Sequence, residues 1–469
     1  MNRVLVIGNG PAAHRLAERL AQLGHRGEVT LLGAEPTPAC HRPLLTAVLA
    51  GRLSPQATHL PPPPGARVHL DTVALGIDRS RRHVRARRGG AVTTHPYDTL
   101  VLATGARPEL PAIPGSVGPG GRLATGVTAV RDAADCERVT GRTAVVLGGG
   151  PLGVETASAL ADRSLATTLV CAEPHPLAAQ LDGTCGDMLT ARLRHAGVAV
   201  RTGTTVTHRA PGHVRLADGT HLDADTLVLC TGVTPETRLA QEAGLTVRDG
   251  ITVDDQLRTS DPRVRAIGDC AAPGDRATRG IDAAREQAEV LAATLTGHPA
   301  HYRPAPPTLR LRTPAVDLCR LGEPADDHAP DLRTVTLTDR TRQRYARLTL
   351  RDDRVVTAVL LGVPRAIATI RSLHRSGRPL PSDRLGLLLD LPPRPAADET
   401  EPEGDVLVCR CNSVSERDLA RAWDAGSRTV AALASTTRAT TGCGNCHERV
   451  RALCSSWASE SANRLGRAS

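Results

Sequence analysis

Short unbroken apolar runs punctuate this chain at regular places. Val4 to Ile7 and Ala144 to Leu147 are each followed by a glycine turn and then by an Ala/Leu-rich stretch with helical spacing; second apolar runs follow, Val29 to Leu32 and Thr168 to Cys171. A continuous apolar run bounded by a turn marks a strand buried on both faces, and its alternation with a helix predicts the start of a parallel βαβ unit, present twice. A further pair of runs, from Tyr97 and from Ala224, reads as buried strands ending in Thr-Gly turns at Thr104-Gly105 and Thr231-Gly232. The repeat is therefore domain-sized rather than a solenoid period. Between the copies, Arg79 to Arg88 holds six Arg, with Val84 and Ala86 alternating through them. That alternation predicts an exposed hairpin strand, with a phosphate-binding patch as the less favoured alternative.

From about residue 301 the periodicity changes. Pro304, Pro306, Pro307 and Pro314 lead into short strands such as Tyr345 to Leu350 and Val355 to Leu361, which predicts a separate α+β module running to 395. Pro392, Pro393 and Pro395 with the acidic stretch Asp398 to Asp405 read as a linker, and a compact module of about sixty residues follows.

Composition adds three exclusions. Among the 469 residues the net charge is +9, yet Lys and Phe are both absent and the basic residues other than His are all Arg. So uniform a bias points to codon usage, and no nucleic-acid partner is expected. No apolar run approaches 18 residues, so no membrane-spanning helix is expected. Val4 to Ile7 runs straight into a glycine turn, so no signal peptide is expected either. Twelve Cys without a secretory signal imply the reducing cytoplasm, where clustered thiols mean metal or redox chemistry rather than disulfides.

Gly8-x-Gly10-x-x-Ala13, with Pro11 and Ala12 opening the helix, places backbone amides where they can meet a pyrophosphate. Glu35, just beyond the second strand, can accept from an adenosine ribose. The alternative is a tight glycine turn with a surface Glu. Gly148-x-Gly150-x-x-Gly153 carries all three glycines, with Pro151 and Leu152 at the helix start and Glu173 at the end of the next strand. An acid there favours the free 2′-hydroxyl of NADH and repels the 2′-phosphate of NADPH, and no Arg lies in the ten residues after it. His175 reads as a surface residue. Glu155, inside the helix start, is placed for the nicotinamide side or is an ordinary helix-N-terminal acid.

Val264 to Ala266 leads into Gly268-Asp269. With this fifth motif in order, residues 1 to 300 resemble the FAD-dependent pyridine-nucleotide oxidoreductases. The resemblance implies that FAD occupies the first site, with Thr104-Gly105 closing over the flavin and Gly268-Asp269 on its ribityl chain. It implies that NAD(P)H occupies the second site, with Gly232 at its border. Many relatives carry a redox-active Cys-x4-Cys; here Cys40 is followed by Leu45 at the second position, so a disulfide reductase is excluded. The string from Cys40 to Gly51 instead resembles the flavoprotein part of NAD(P)H nitrite reductases, which makes Arg42 an FAD contact. Cys40 stands where that family has Tyr and reads as a buried small residue rather than a reactive thiol.

Cys409-x-Cys411 and Cys443-x-x-Cys446, with Gly442 and Gly444 flanking the third thiol, suit a [2Fe-2S] cluster; a structural zinc site is the alternative. The surrounding string resembles the bacterioferritin-associated-ferredoxin-like [2Fe-2S] domain of nitrite and nitrate reductase electron-transfer subunits. The remaining Cys, at 40, 136, 171, 185, 230, 270, 319 and 454, read as isolated small residues, and His447 as a solvent-facing helix residue.

The expected fold is α/β: two Rossmann-like, three-layer dinucleotide-binding domains, a small α+β interface domain and a small helical [2Fe-2S] domain. The FAD domain takes 1–115 and 245–300, the NAD(P)H domain 116–244, the interface domain 301–395, packed on the flavin domain, and the cluster domain 405–460. The expected protein is an NADH-dependent flavo-iron-sulfur electron-transfer enzyme with no side-chain acid-base machinery, since the cofactors carry the chemistry. Its expected acceptor is a separate catalytic nitrate or nitrite reductase subunit. Two alternatives stay open: a general ferredoxin or rubredoxin reductase, and an iron-responsive or bacterioferritin-docking module.

Overall fold

The computed structural model describes residues 3–274, 280–323, 329–389, 406–409, 412, 414–440 and 446–465. These fall into two compact units, Met1–Gly362 and Val363–Ser469.

The first unit contains the duplicated halves that the apolar runs predict. One parallel sheet runs in the order Val264–Ala266, Thr99–Leu102, Val4–Ile7, Val29–Leu32, Ala66–His69. The central strand Val4–Ile7 is buried along its whole length, each such side chain contributing about 1.5–3 kcal/mol of burial. Helices Pro11–Gln22 and Ile281–Leu295 share its apolar core, and Glu289 on the second helix pairs with Arg15 and Arg19 on the first. A meander of Thr72–Asp78, His83–Arg88 and Ala91–Pro96 completes this half. Val84 and Ala86 are buried in that core while Arg85, Arg87 and Arg88 are exposed, so the Arg-rich run is the hairpin strand its alternation predicts.

The second parallel sheet repeats the plan, with the order Val198–Arg201, Ala166–Val170, Thr143–Leu147, Thr226–Leu229, Val127–Thr128. Helices Pro151–Asp162 and Gly183–His195 and a three-stranded meander from Val206 to Ala224 accompany it.

Strands Thr308–Arg312, Asp317–Leu321, Arg333–Asp339, Arg344–Arg351 and Arg354–Leu361 form a five-stranded antiparallel sheet. The sequence places this module against the flavin half; in the structure its apolar face belongs mainly to the other half. Leu311, Val316, Leu318, Tyr345 and Leu361 share a core with Val154, Ala157 and Leu160 of one helix and Leu189 and Leu193 of the next. The first half contributes Leu45, Leu49 and Ala50 to the same core. The reason is visible in the helix Pro151–Asp162, whose residues Val154 and Thr156 to Leu160 are all buried. A helix buried over so much of its circumference needs cover on the side away from its own sheet. Tyr345 and Arg192 secure the contact, the Tyr345 hydroxyl donating to Asp182 and Arg192 Nη1 donating to the Ala315 carbonyl at 3.3 Å.

The second unit begins at Val363, within the stretch that the sequence assigns to one module. It holds the amphipathic helix Pro364–Ser376, terminated by Gly377 in the left-handed region, and the short helix Arg384–Leu388. Farther on, strands Leu407–Cys409 and Val414–Ser415 precede helices Glu416–Asp424, Val430–Thr437 and His447–Leu465. Ser415 caps the first of these through a capping box with Asp418. Trp423 and Trp457 pack with ring centroids 5.5 Å apart, and the Arg428 guanidinium lies 5.1 Å from the Trp423 ring.

Candidate functional site

Both glycine turns are built alike. Gly8 has φ +122° and Gly148 φ +118°. A Cβ on Gly8 would lie 2.1 Å from the Ala103 carbonyl oxygen, and one on Gly148 would lie 2.3 Å from that of Cys230. Each first glycine thus lets its turn close onto the strand that ends in Thr-Gly, bringing both motifs of a half to the carboxyl ends of parallel strands.

In the first half these ends enclose a cavity of about 570 Å³, within the range of small-molecule sites. Gly8, Gly10, Pro11, Ala12, Glu35, Arg42, Thr104, Gly105, Gly268 and Asp269 all line it. Ala13 does not; it is fully buried in the core behind the turn. Gly10 is the N-cap of Pro11–Gln22, whose first turn carries no acid, so its free amides face the cavity without a competing charge. Arg42 Nη2 donates to Glu35 Oε1 at 2.7 Å. Asp269 Oδ1 accepts from the Gly280 amide at 3.0 Å.

Arg131 is a cavity residue that the sequence reading misses. It immediately precedes the capping box Asp132–Asp135, which marks a helix start but not what lies before it. Its Nη2 donates to the Ala106 carbonyl at 3.1 Å and lies 3.9 Å from Asp269 Oδ2, while its Nε is buried with no hydrogen-bond partner among the described residues. Burial, with Arg42 nearby, pulls the guanidinium pKa below its ordinary value, although Asp269 and Asp135 oppose this. Two guanidinium groups, a helix N-terminus and an orphaned buried donor around an elongated cleft fit a dinucleotide with a negative pyrophosphate. Glu236, from the second half, also lines the cavity.

In the second half, Gly150 is the N-cap of the helix that begins Pro151-Leu152-Gly153 and carries Glu155 in its second turn. Glu173 is exposed beyond the strand Ala166–Val170, its carbonyl accepting from the Gly203 amide at 3.0 Å. Gly232, with φ +113°, follows the strand Thr226–Leu229. His175 is not the surface residue expected: it is buried, and a Cβ on Gly186 would lie 2.1 Å from its Nδ1. The absent side chain at 186 leaves room for the ring against the helix Gly183–His195, so His175 turns inward.

In the C-terminal module Cys409 and Cys446 are buried in one apolar cluster, and the Thr440 amide donates to Cys446 Sγ at 3.2 Å. An amide aimed at a buried sulfur suits a thiolate better than a thiol. Cys411 and Cys443, with Gly442 and Gly444, lie outside the described residues. His447 is exposed at the start of its helix. Cys40 is buried, and burial raises its thiol pKa despite Arg42. No described helix is long and apolar enough to cross a membrane.

Residues 2–288 match the pyridine nucleotide-disulphide oxidoreductase family. The chain belongs to that family. Residues 407–455 match the BFD-like [2Fe-2S] binding domain family. The chain is 31% identical to the nitrite reductase [NAD(P)H] large subunit of Klebsiella oxytoca, over 96% of this chain and 48% of that one. It is 26% identical to the assimilatory nitrate reductase electron transfer subunit of Bacillus subtilis, over 96% and 59%. Among solved structures, a NAD-dependent persulfide reductase from A. fulgidus superposes with a TM-score of 0.71 at 26% identity, over 80% of this chain and 77% of that one. The chain spans about half the length of the curated relatives it matches. The two matches imply FAD and a pyridine nucleotide in the family portion and a [2Fe-2S] cluster in the C-terminal module.

Proposed function

We propose that this protein draws electron pairs from NADH and delivers them to a separate catalytic subunit of an assimilatory nitrate or nitrite reductase in the cytoplasm. The observation that carries the reading is the fusion, in one chain, of a family-typical pair of dinucleotide motifs with a four-cysteine [2Fe-2S] module. The position of a second redox thiol is taken by Leu45, a buried core residue, which leaves the cluster module as the exit. When bound, FAD would supply the conversion of the two electrons of one hydride into single electrons, and the cluster would carry them outward.

The chain's own residues bind and orient. In 1–115 and 245–300, the turn from Gly8 to Ala13, through its amides at Gly10 and Ala12, and the Arg42 and Arg131 guanidiniums hold the FAD pyrophosphate. Glu35 takes the adenosine ribose, Thr104-Gly105 walls the cavity, and Gly268-Asp269 accepts from the ribityl hydroxyls. In 116–244, Gly148 to Gly153 and Gly232 border the pyridine nucleotide, Glu155 faces its nicotinamide side, and Glu173 accepts from the 2′-hydroxyl of NADH. The inward turn of His175 removes the nearest imidazole from a 2′-phosphate, which favours NADH. Cys409, Cys411, Cys443 and Cys446 hold the cluster, with the five-stranded antiparallel sheet covering the second half's helices.

The test is to mix the purified chain with NADH, candidate nitrate or nitrite reductase subunits and the matching anion, and to follow nicotinamide oxidation. Acceptor-dependent turnover with bleaching of flavin and iron-sulfur absorbance is expected. A protein whose colour does not respond to NADH would overturn the proposal.

A further inference from the structure

The two Thr-Gly turns are tied to one another by a reciprocal set of bonds. The Thr104 hydroxyl donates to the Glu236 carbonyl at 2.6 Å, and the Thr231 hydroxyl donates to the Glu109 carbonyl at 2.7 Å. In return, the Glu236 amide donates to the Gly105 carbonyl at 2.9 Å and the Glu109 amide to the Gly232 carbonyl at 3.0 Å. Between these clamps, Ala106–Pro108 and Val233–Pro235 pair as an antiparallel ribbon, with Thr234 opposite Arg107. Exchanging the halves maps every one of these bonds onto another.

The ribbon reaches both sites. Thr104, Gly105 and Glu236 line the large cavity, so part of its wall comes from the strand leaving the second half. At the other end, Glu109 Oε2 lies 3.0 Å from where a Cβ on Gly232 would sit, so a carboxylate from the first half lies over the second turn. Gly105 and Gly232 are both held at positive φ, +71° and +113°. Such turns are conformationally permissive, and the clamps are what restrict them. A plain pair of linkers would leave two domains free to move independently; this one is cross-bonded at each end.

We propose that the ribbon couples the two dinucleotide sites, with Thr231 as a positioning residue. Filling the second site orders the Thr231-Gly232 clamp, which orders the ribbon and with it the Thr104-Gly105 wall of the cavity. The ligand that binds second then meets an element already fixed, so FAD and NAD+ bind with positive cooperativity. This rests on the assignment of FAD to the cavity and a pyridine nucleotide to the second site.

The test uses the full chain and measures FAD dissociation by ultrafiltration and FAD fluorescence, with and without saturating NAD+. Equilibrium dialysis reports NAD+ binding separately. In the wild type, NAD+ tightens FAD by about fivefold or more, the lower end of typical couplings. Thr231→Val brings that ratio to about one while NAD+ still binds, and Thr231→Ser, which keeps the hydroxyl, retains it. A wild-type ratio of about one overturns the coupling without any variant, and so does a Thr231→Val ratio equal to the wild type's. A wild-type chain that holds neither FAD nor NAD+ overturns the assignment of the sites themselves, a result distinct from loss of coupling.

Discussion

Arg131 Nη2 stands 3.9 Å from Asp269 Oδ2 in the wall of the large cavity, bringing the beginning of the second half to the turn that follows strand Val264–Ala266 of the first. The guanidinium is mostly buried, and its Nε has no partner among the described residues. On the proposed assignment of FAD to this cavity, its pyrophosphate would supply that partner. Replacing Arg131 with Met should therefore weaken FAD by about 1.5–3 kcal/mol, the range for hydrogen bonds to charged groups. Flavin content after gel filtration checks this, with circular dichroism unchanged.

On the proposed reading, Glu173 selects NADH over NADPH. Its exposed carboxylate has no Arg nearby in sequence, so Glu173→Ala should raise the NADPH-to-NADH ratio of kcat/KM by about tenfold, equivalent to about 1.4 kcal/mol. Steady-state kinetics with an artificial dye as acceptor measure it. An unchanged ratio would place the selecting group elsewhere.

Much of this was legible because each motif combines a strand, a turn and a helix within a few residues. Gly8 to Ala13, Glu35, Thr104 and Asp269 are local signals at strand ends, and parallel pairing carries all strand ends of a sheet to one edge. Arg131 was not legible, since its position in the cavity depends on where the crossover from the first half lands. His175 was missed for a similar reason: the space that receives it is made by Gly186 on another element. The cover on the Pro151–Asp162 helix also escaped notice, because Thr156 and Ser158 give that stretch the look of a half-exposed helix although both are buried. The reciprocal Thr clamps use main-chain partners, which leave no signature in side-chain identity.

Cys409→Ser and Cys446→Ser should each abolish the iron-sulfur absorbance, while Cys454→Ser, on a half-exposed helix position, should retain it. NADH-driven dye reduction should persist in all three, since the dye takes electrons upstream. Loss of dye reduction together with the cluster would show that the two functions are not separable.

The buried thiols outside the cluster module should be inert at neutral pH. Burial pushes Cys136 and Cys230 up to about 12 and Cys171 up to about 11. A raised folded-state pKa means that these thiols favour the native state fully below the unfolded value, about 8.5, and that this contribution is lost as pH rises toward 11–12. Iodoacetamide at pH 8 should leave all three unmodified by peptide mapping, and modification should accompany alkaline unfolding. Labelling at pH 8 in the folded protein would mean that these sites open locally.

The packed indoles of Trp423 and Trp457 have a practical corollary. They are the two tryptophans of the chain, so ultraviolet emission selectively excited from indole is a private optical channel for the tail. Melting or rearrangement of that small module can be watched in the intact polypeptide without any label, while the larger dinucleotide-binding portion stays dark.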